Sequence, residues 1–234
     1  MDGLSDRLRA VRTGERALVG IDGVDGSGKS VFADRLAARV DGRPVIVVHV
    51  DDFHHPRAVR YRRGRDSPVG FWLDSYDYDA LTHRVLAPLR TGAALYQHAA
   101  HDLVRDARVD PPLSRAPRDA IVLVEGLFLH RQELRHWWDF SIFLDVPFEE
   151  TALRMAERDG TPPDHRAPAL QRYVGGQRLY FRAARPWEHA SMVIDNSDVT
   201  RPRTINSASA AASREVREPG GGLHVSPRAG NAPA

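Results

Sequence analysis

Short apolar runs alternate along this chain with stretches of helical period, and the runs mark strands. Residues 17–21 (ALVGI), 44–50 (PVIVVHV) and 120–124 (AIVLV) are continuous apolar segments of buried-strand type, and residues 140–146 and 192–194 add two more. Between them the spacing lengthens. Phe32, Leu36 and Val40, with Ala33 and Ala37, predict a helix that stops at Asp41-Gly42, and Leu81, Val85 and Leu89 predict another over residues 77–90. Ala152, Leu153 and Ala156 mark a helix after Pro147, and residues 170–184 resume as helix, with Gly175-Gly176 as an expected interruption. Leu4, Leu8 and Val11 among charges suggest a short amphipathic helix before the first strand.

The remaining segments carry no period. Residues 57–70 are arginine-rich and punctuated by glycine, and read as a loop. Residues 93–118 read as a hairpin or irregular insertion, and residues 159–168, polar with three prolines, as a mobile connection. Strands alternating with helices predict an α/β fold, a mainly parallel sheet with helices on both faces. Such sheets bind ligands beyond the carboxyl ends of their strands. That rule places three segments on one rim: the loop after the first strand, Asp51-Asp52 after the second, and Glu125-Gly126 after the 120–124 run.

Composition narrows this picture. The 234 residues suit one domain, taken as residues 1–203, followed by a Ser/Ala/Gly/Pro-rich tail, 204–234, that reads as disordered. The absence of cysteine excludes disulfides, zinc–thiolate sites and cysteine nucleophiles. No apolar run approaches the ~20 residues that span a bilayer, and the charged N-terminus lacks a signal-peptide core. The expectation is a soluble cytoplasmic protein with no membrane partner, its homo-oligomerisation left open. A formal charge of +2 gives no argument for a nucleic-acid partner. The run Arg57, Arg60, Arg62, Arg63 and Arg65, with Tyr61, reads as solvated or facing a substrate phosphate rather than as a nucleic-acid patch.

Candidate chemistry centres on Gly23-Val24-Asp25-Gly26-Ser27-Gly28-Lys29-Ser30, which fits the phosphate-loop pattern G-x-x-x-x-G-K-[ST] between a predicted strand and a predicted helix. Glycines let backbone N–H groups turn inward around phosphate oxygens, and the helix N-terminus adds its positive dipole end. Lys29 is expected to reach the β- and γ-phosphates, and the Ser30 hydroxyl to bind Mg²⁺. Lys29 is also the only lysine in a chain that otherwise uses arginine. A phosphate loop needs a compact ammonium on a flexible stem, which the planar guanidinium cannot replace.

Phosphoryl transfer also needs a group to orient the acceptor hydroxyl and positive charge over the moving phosphoryl group. Asp51 is placed to take the acceptor proton, with Asp52 as the neighbour that could exchange roles with it. Glu125 ends an apolar strand, where a carboxylate is costly unless paired or metal-bound, and is assigned near Mg²⁺. Arg154 and Arg158, at i, i+4, together with Arg166 and Arg172, are expected to close over the triphosphate as a lid at about 159–172. Phe71, Trp72, Tyr76 and Tyr78 either wall an aromatic substrate pocket or belong to the core.

The assembled set resembles the uridine kinase and phosphoribulokinase family of P-loop kinases, which also includes bacterial pantothenate kinase. The anchors are Gly23 to Ser30, Asp51-Asp52-Phe53-His54, Val124-Glu125-Gly126 and the 140–145 strand, over roughly residues 15–200. The resemblance implies transfer of the ATP γ-phosphate to a small-molecule hydroxyl, with Asp51 as base and with Ser30, Glu125 and Asp51 near Mg²⁺. The uridine kinase branch further implies the 5′-hydroxyl of uridine or cytidine as acceptor, with pantothenate or a sugar phosphate as the alternative. Acceptor contacts are then expected from Asp52, His54, Tyr76, Asp77, Arg166 and Arg172. In the family's nucleoside segment, His101 and Asp106 stand where tyrosine and histidine are usual, and Arg108 is kept. A buried Asp106 would lean towards the amino group of cytidine.

Two rivals come from other classes. A GTPase needs an Asn-Lys-x-Asp segment, for which no second lysine exists. A non-catalytic nucleotide-binding regulatory protein would keep the loop without needing Asp51 and Glu125 beside it.

Overall fold

The structure, a computed structural model, describes residues 2–217. In chain order the strands are β1 (Ala17–Gly23), β2 (Val45–His49), the two-residue strands β3 (Leu95–Tyr96), β4 (His101–Asp102), β5 (Ala107–Arg108) and β6 (Ser114–Arg115), then β7 (Ile121–Gly126), β8 (Phe140–Asp145), β9 (Met192–Asp195) and β10 (Arg203–Ile205). The helices are α1 (Asp2–Ala10), α2 (Lys29–Ala37), α3 (Arg57–Arg60), α4 (Pro68–Asp74), α5 (Tyr78–Leu81), α6 (Ala87–Arg90), α7 (Phe148–Asp159), α8 (Gln171–Ala184), α9 (Pro186–His189) and α10 (Ala211–Arg217).

Strand β1 sits inside a six-stranded sheet of order β10-β9-β8-β1-β7-β2, parallel throughout except at one edge, where β10 runs antiparallel to β9. Its residues are all buried, as are those of β7, which is why both read as unbroken apolar runs. Alternation within the strands feeds two cores. Leu18, Val122, Val124 and Phe143 face the larger one, with α4 and α8. Val19, Ile21, Leu123, Ile142 and Leu144 face the other, where Leu4 and Leu8 of α1 and Phe32 and Leu36 of α2 cover the sheet. Strand β2 departs from its expectation as a buried strand: at the sheet edge, only Val48 of its five residues is fully buried.

Residues 78–90 form one helical run, α5 and α6 joined by a π turn at Thr82–Leu86, as the Leu81/Val85/Leu89 spacing predicts. The 93–118 insertion folds as two small antiparallel ladders, β3 with β6 and β4 with β5. Three expectations are corrected. Residues 57–70 are a loop only over 61–67, because α3 starts after Pro56 and α4 starts at Pro68 behind the Ser67 cap, whose hydroxyl accepts the Gly70 N–H at 3.1 Å. Gly175-Gly176 does not interrupt α8. A Cβ at Gly176 would stand 2.7 Å from Phe71 and one at Gly175 2.9 Å from Pro68, so the pair lets α8 lie directly against α4.

The third correction concerns the tail. Residues 203–217 supply the edge strand β10 and helix α10, whose Ala212 is buried, as is Ala210 just before it. Arg178 of α8 binds Glu215 at 2.8 Å, and the buried Asp145 carboxylate accepts the N–H groups of Ala211 and Ala212. Small side chains, not an absence of structure, account for the low hydrophobicity there. Residues 218–234 of the expected tail lie outside the described residues. No helix among the described residues is long and apolar enough to cross a membrane.

Candidate active site

The carboxyl ends of β1, β2 and β7 meet, and the parallel register decides what touches what. His49 of β2 and Ile21 of β1 both pair with Glu125 of β7. The end of β7 approaches the turn after β2 so closely that a Cβ at Gly126 would fall 2.4 Å from Val50. Glycine is therefore required there by contact rather than by dihedral angle.

Between β1 and α2 the chain makes the phosphate loop, with Gly26 and Gly28 at φ 72° and 85°, a conformation that L side chains avoid. At its first glycine, Gly23, a Cβ would stand 2.6 Å from the Ser27 hydroxyl. The loop is tied down from outside its own segment. Asn196, after β9, donates its amide to the Ser27 carbonyl at 2.7 Å, and Gln177 of α8 accepts the Asp25 N–H at 2.6 Å. Lys29 curls back to donate to the Val24 carbonyl at 2.9 Å.

Ser30, first turn of α2, donates its hydroxyl to Glu125 Oε1 at 2.9 Å, and His49 Nδ1 lies 2.6 Å from the same oxygen. Burial works against the ionised Glu125. The His49 hydrogen bond, the Lys29 charge and the Ser30 hydroxyl outweigh it and hold the carboxyl below its ordinary range. His49 is raised in turn, chiefly by that hydrogen bond. The result is an ionised oxygen donor beside a hydroxyl, the hard-ligand chemistry that suits Mg²⁺. No cluster of three or more His, Cys, Asp or Glu side chains able to hold a metal by themselves occurs among the described residues.

Two cavities share this rim. The first, about 170 Å³, is lined by Gly26, Gly28, Lys29, Ser30, Glu125 and Arg158. The second, about 220 Å³, is lined by His54, Arg60, Tyr61, Phe71, Tyr76, Arg172 and Tyr173 among others. Asp25 and Asp51 line both and so mark the junction. Tyr76, buried, donates its hydroxyl to Asp51 Oδ1 at 3.2 Å, while His54 Nδ1 caps the Asp51 carbonyl at 2.8 Å. Burial raises the Asp25 pKa, Asp51 adds to the rise, and Lys29 and Arg158 oppose it. Asp52 lines neither cavity.

The other expected residues divide. Arg158 lines the phosphate-loop cavity while paired with Asp159 at 2.7 Å. Arg154 bonds Glu150 and the carbonyls of Asn196 and Ser197, at 3.0, 3.0 and 2.7 Å, and reaches the phosphate loop at the Gly26 carbonyl, 3.4 Å away. Arg166 is exposed in the connection after α7, where His165 is buried against Phe148. Arg172 is no lid residue. It is buried in α8 and donates to the carbonyls of Arg60, Arg65 and Ser67. Asp77 is the cap of α5, accepting the Ala80 N–H at 2.8 Å. Asp106 is not the expected buried acid. It is half-exposed at φ 52° and accepts the Arg57 N–H at 2.9 Å, with His101, buried, 3.4 Å away. Arg108 is exposed on β5 opposite His101 and lines neither cavity.

Sequence reasoning missed His49, Asn196, Tyr173 and Asp22, and named Arg60 only as one of a run of arginines. The Asp22 carboxylate, fully buried at the end of β1, accepts the N–H groups of Gly23, Phe128 and His130, together with His130 Nδ1 and the Tyr180 hydroxyl. A carboxylate inside an apolar strand was its only local signal.

No family model matches the chain. It is 30% identical over 151 residues to a uridine kinase of Proteus mirabilis, covering 61% of this chain and 68% of that one. It is 32% identical over 228 residues to a pantothenate kinase of Rhodopseudomonas palustris, covering 81% and 67%. Among solved structures it is similar to a possible uridine kinase from Bacillus stearothermophilus, with a TM-score of 0.65 and 27% identity over 82% of this chain and 95% of that one. With the phosphate loop, the sheet order and these relatives together, the chain belongs to the uridine kinase and phosphoribulokinase family of P-loop kinases.

Proposed function

We propose that the protein is a kinase that transfers the γ-phosphate of ATP to a hydroxyl of a small molecule seated in the second cavity. The observation that carries this reading is the position of Asp51, which lines both cavities where they meet, on the same rim as Lys29. A hydroxyl entering there from the acceptor side lies beside a carboxylate and faces the phosphate loop.

In this reading the loop N–H groups and Lys29 hold the phosphates, and Lys29 leaves the Val24 carbonyl for them. Ser30 and Glu125 would hold Mg²⁺, which supplies charge neutralisation between the phosphates. Asp51 orients the acceptor hydroxyl and takes its proton, with Tyr76 fixing the carboxylate by its hydrogen bond. Arg158 places positive charge over the phosphate-loop cavity.

For the acceptor, uridine or cytidine is supported by the names of the relatives and by the aromatic walls Tyr61, Phe71, Tyr76 and Tyr173. The residues meant to read the base give it little help, since Asp106 is engaged by Arg57 and Arg108 lies off the cavity.

The test is ADP release from Mg-ATP against a panel of nucleosides, pantothenate and sugar derivatives. Acceptor-dependent release is expected. ATP binding without release under every acceptor would favour the non-catalytic regulatory protein.

A further inference from the structure

The second cavity is electrically two-ended. Its acids, Asp25 and Asp51, stand at the junction with the phosphate-loop cavity, while Arg60 and Arg172 line the second cavity alone. Both guanidiniums lie against one ring: the Arg60 and Arg172 carbons stand 5.4 and 5.0 Å from the centre of Tyr61. Each arginine is buried.

Two buried cations so close together need counter-charge, and the protein supplies little. Arg172 spends its hydrogen bonds on neutral backbone carbonyls. Arg60 reaches one carboxylate, Asp106, at 3.5 Å, the outer limit of a hydrogen bond, and Asp106 is already engaged by the Arg57 N–H. The Arg60 Nε is buried with no partner at all. A buried guanidinium left this way is costly unless something else completes its pairing. The core has no use for such an arrangement, but an oxyanion in the cavity would satisfy it, since the guanidinium fork matches carboxylate and phosphate geometry.

We infer that the phosphate acceptor carries an oxyanion of its own, a carboxylate or phosphate bound by Arg60 and Arg172, while its hydroxyl reaches Asp51 at the other end of the cavity. Arg60 is then the residue that sets acceptor preference. The inference rests on the kinase reading above and gives that reading a substrate class.

The experiment uses matched pairs of compounds that differ in the anion: pantothenate and pantothenol, D-glycerate and glycerol, ribulose 5-phosphate and ribulose, with uridine and cytidine as neutral references. Binding by calorimetry and initial rates with Mg-ATP are measured for the wild type, Arg60→Gln and Arg60→Lys. The expected result is that at least one anionic compound binds and its neutral twin does so at least about tenfold more weakly. Arg60→Gln should raise its Kd or KM by about 10- to 100-fold, the loss of a charge-assisted pair, with partial rescue in Arg60→Lys. The pairs separate carboxylate from phosphate. Equal use of a neutral twin, preference for uridine or cytidine, an unaltered KM in Arg60→Gln, or no binding of any anionic compound would each overturn the inference. If Arg60→Gln does not fold, the preference of the wild type between twins decides alone. Anion binding that depends on Arg60 without any phosphorylated product would keep Arg60 and Arg172 as an anion site but remove the kinase reading, and would overturn the claim that the anion belongs to a phosphate acceptor.

Discussion

His49 and Glu125, 76 positions apart in sequence, share a hydrogen bond of 2.6 Å because β2 and β7 run in parallel register with these two residues side by side. The oxygen involved is also the one that accepts the Ser30 hydroxyl, so the phosphate-loop serine, the strand-end carboxylate and the edge-strand histidine form one unit. The pair has a defined pH signature. Glu125 is held below its ordinary 4.5, so its contribution to stability is present above that pH and lost as the pH falls through the lowered value. His49 is raised above its ordinary 6.5, so its contribution is complete below that pH and lost as the pH rises through the raised value. Wild type should therefore exceed His49→Gln in stability most clearly between about pH 4.5 and 6.5, and the gap should close at higher pH. The size should be about 0.5 kcal/mol, since His49 is half-exposed and screened. Urea midpoints across this range check it, and a gap that widened with pH would reverse the assignment.

Asp51 and Asp52 are neighbours with different surroundings. Asp51 lines both cavities and accepts the Tyr76 hydroxyl, whereas Asp52 lines neither and its pKa is raised, chiefly by burial. Asp51→Asn is expected to lower kcat at least ~10²-fold with a much smaller change in ATP affinity, and Asp52→Asn to be mild. Tyr76→Phe should fall between them. Steady-state kinetics on the three variants decides, and a damaging Asp52→Asn beside a mild Asp51→Asn would exchange the roles.

Gly176 is a packing residue for the acceptor cavity, although it lies outside it. Its absent Cβ leaves room for Phe71, which lines that cavity, and for the Pro68 carbonyl, 2.7 and 2.9 Å from the position a Cβ would take. Gly176→Ala gains helix propensity worth about 1 kcal/mol, but it forces α4 and α8 apart at a cost of about 1–3 kcal/mol. A net loss of stability and a raised acceptor KM are expected, from thermal melts and kinetics together. An alanine variant more stable than wild type would mean that α4 shifts freely.

Much of the site was legible because its signals are local. Eight consecutive residues specify the phosphate loop, and Glu125 announces itself as a carboxylate closing an apolar strand. What was not legible depends on which strands and helices become neighbours. His49 acquires its role only from the register of an edge strand on β7. Asp22 gathers donors from Phe128, His130 and Tyr180, more than a hundred positions away. Arg172 was expected at the acceptor, whereas Arg60 stood out only as one of five arginines in a run, since burial rather than residue type sets it apart. The α4 start was readable in principle: Ser67-Pro68 is a cap followed by proline at the first helical position, but the surrounding charges masked it.

The central claim is phosphoryl transfer through Lys29 to an acceptor hydroxyl at Asp51. Its most direct measurement follows the γ-phosphate of labelled ATP in wild type, Lys29→Ala and Lys29→Arg, scoring label on the acceptor separately from label released as inorganic phosphate. The wild type should place the label on the acceptor, and both variants should lose nearly all of that transfer while remaining folded, because a guanidinium cannot occupy the niche of one ammonium. Label appearing only as inorganic phosphate in the wild type, or near wild-type transfer by Lys29→Arg, would contradict the account.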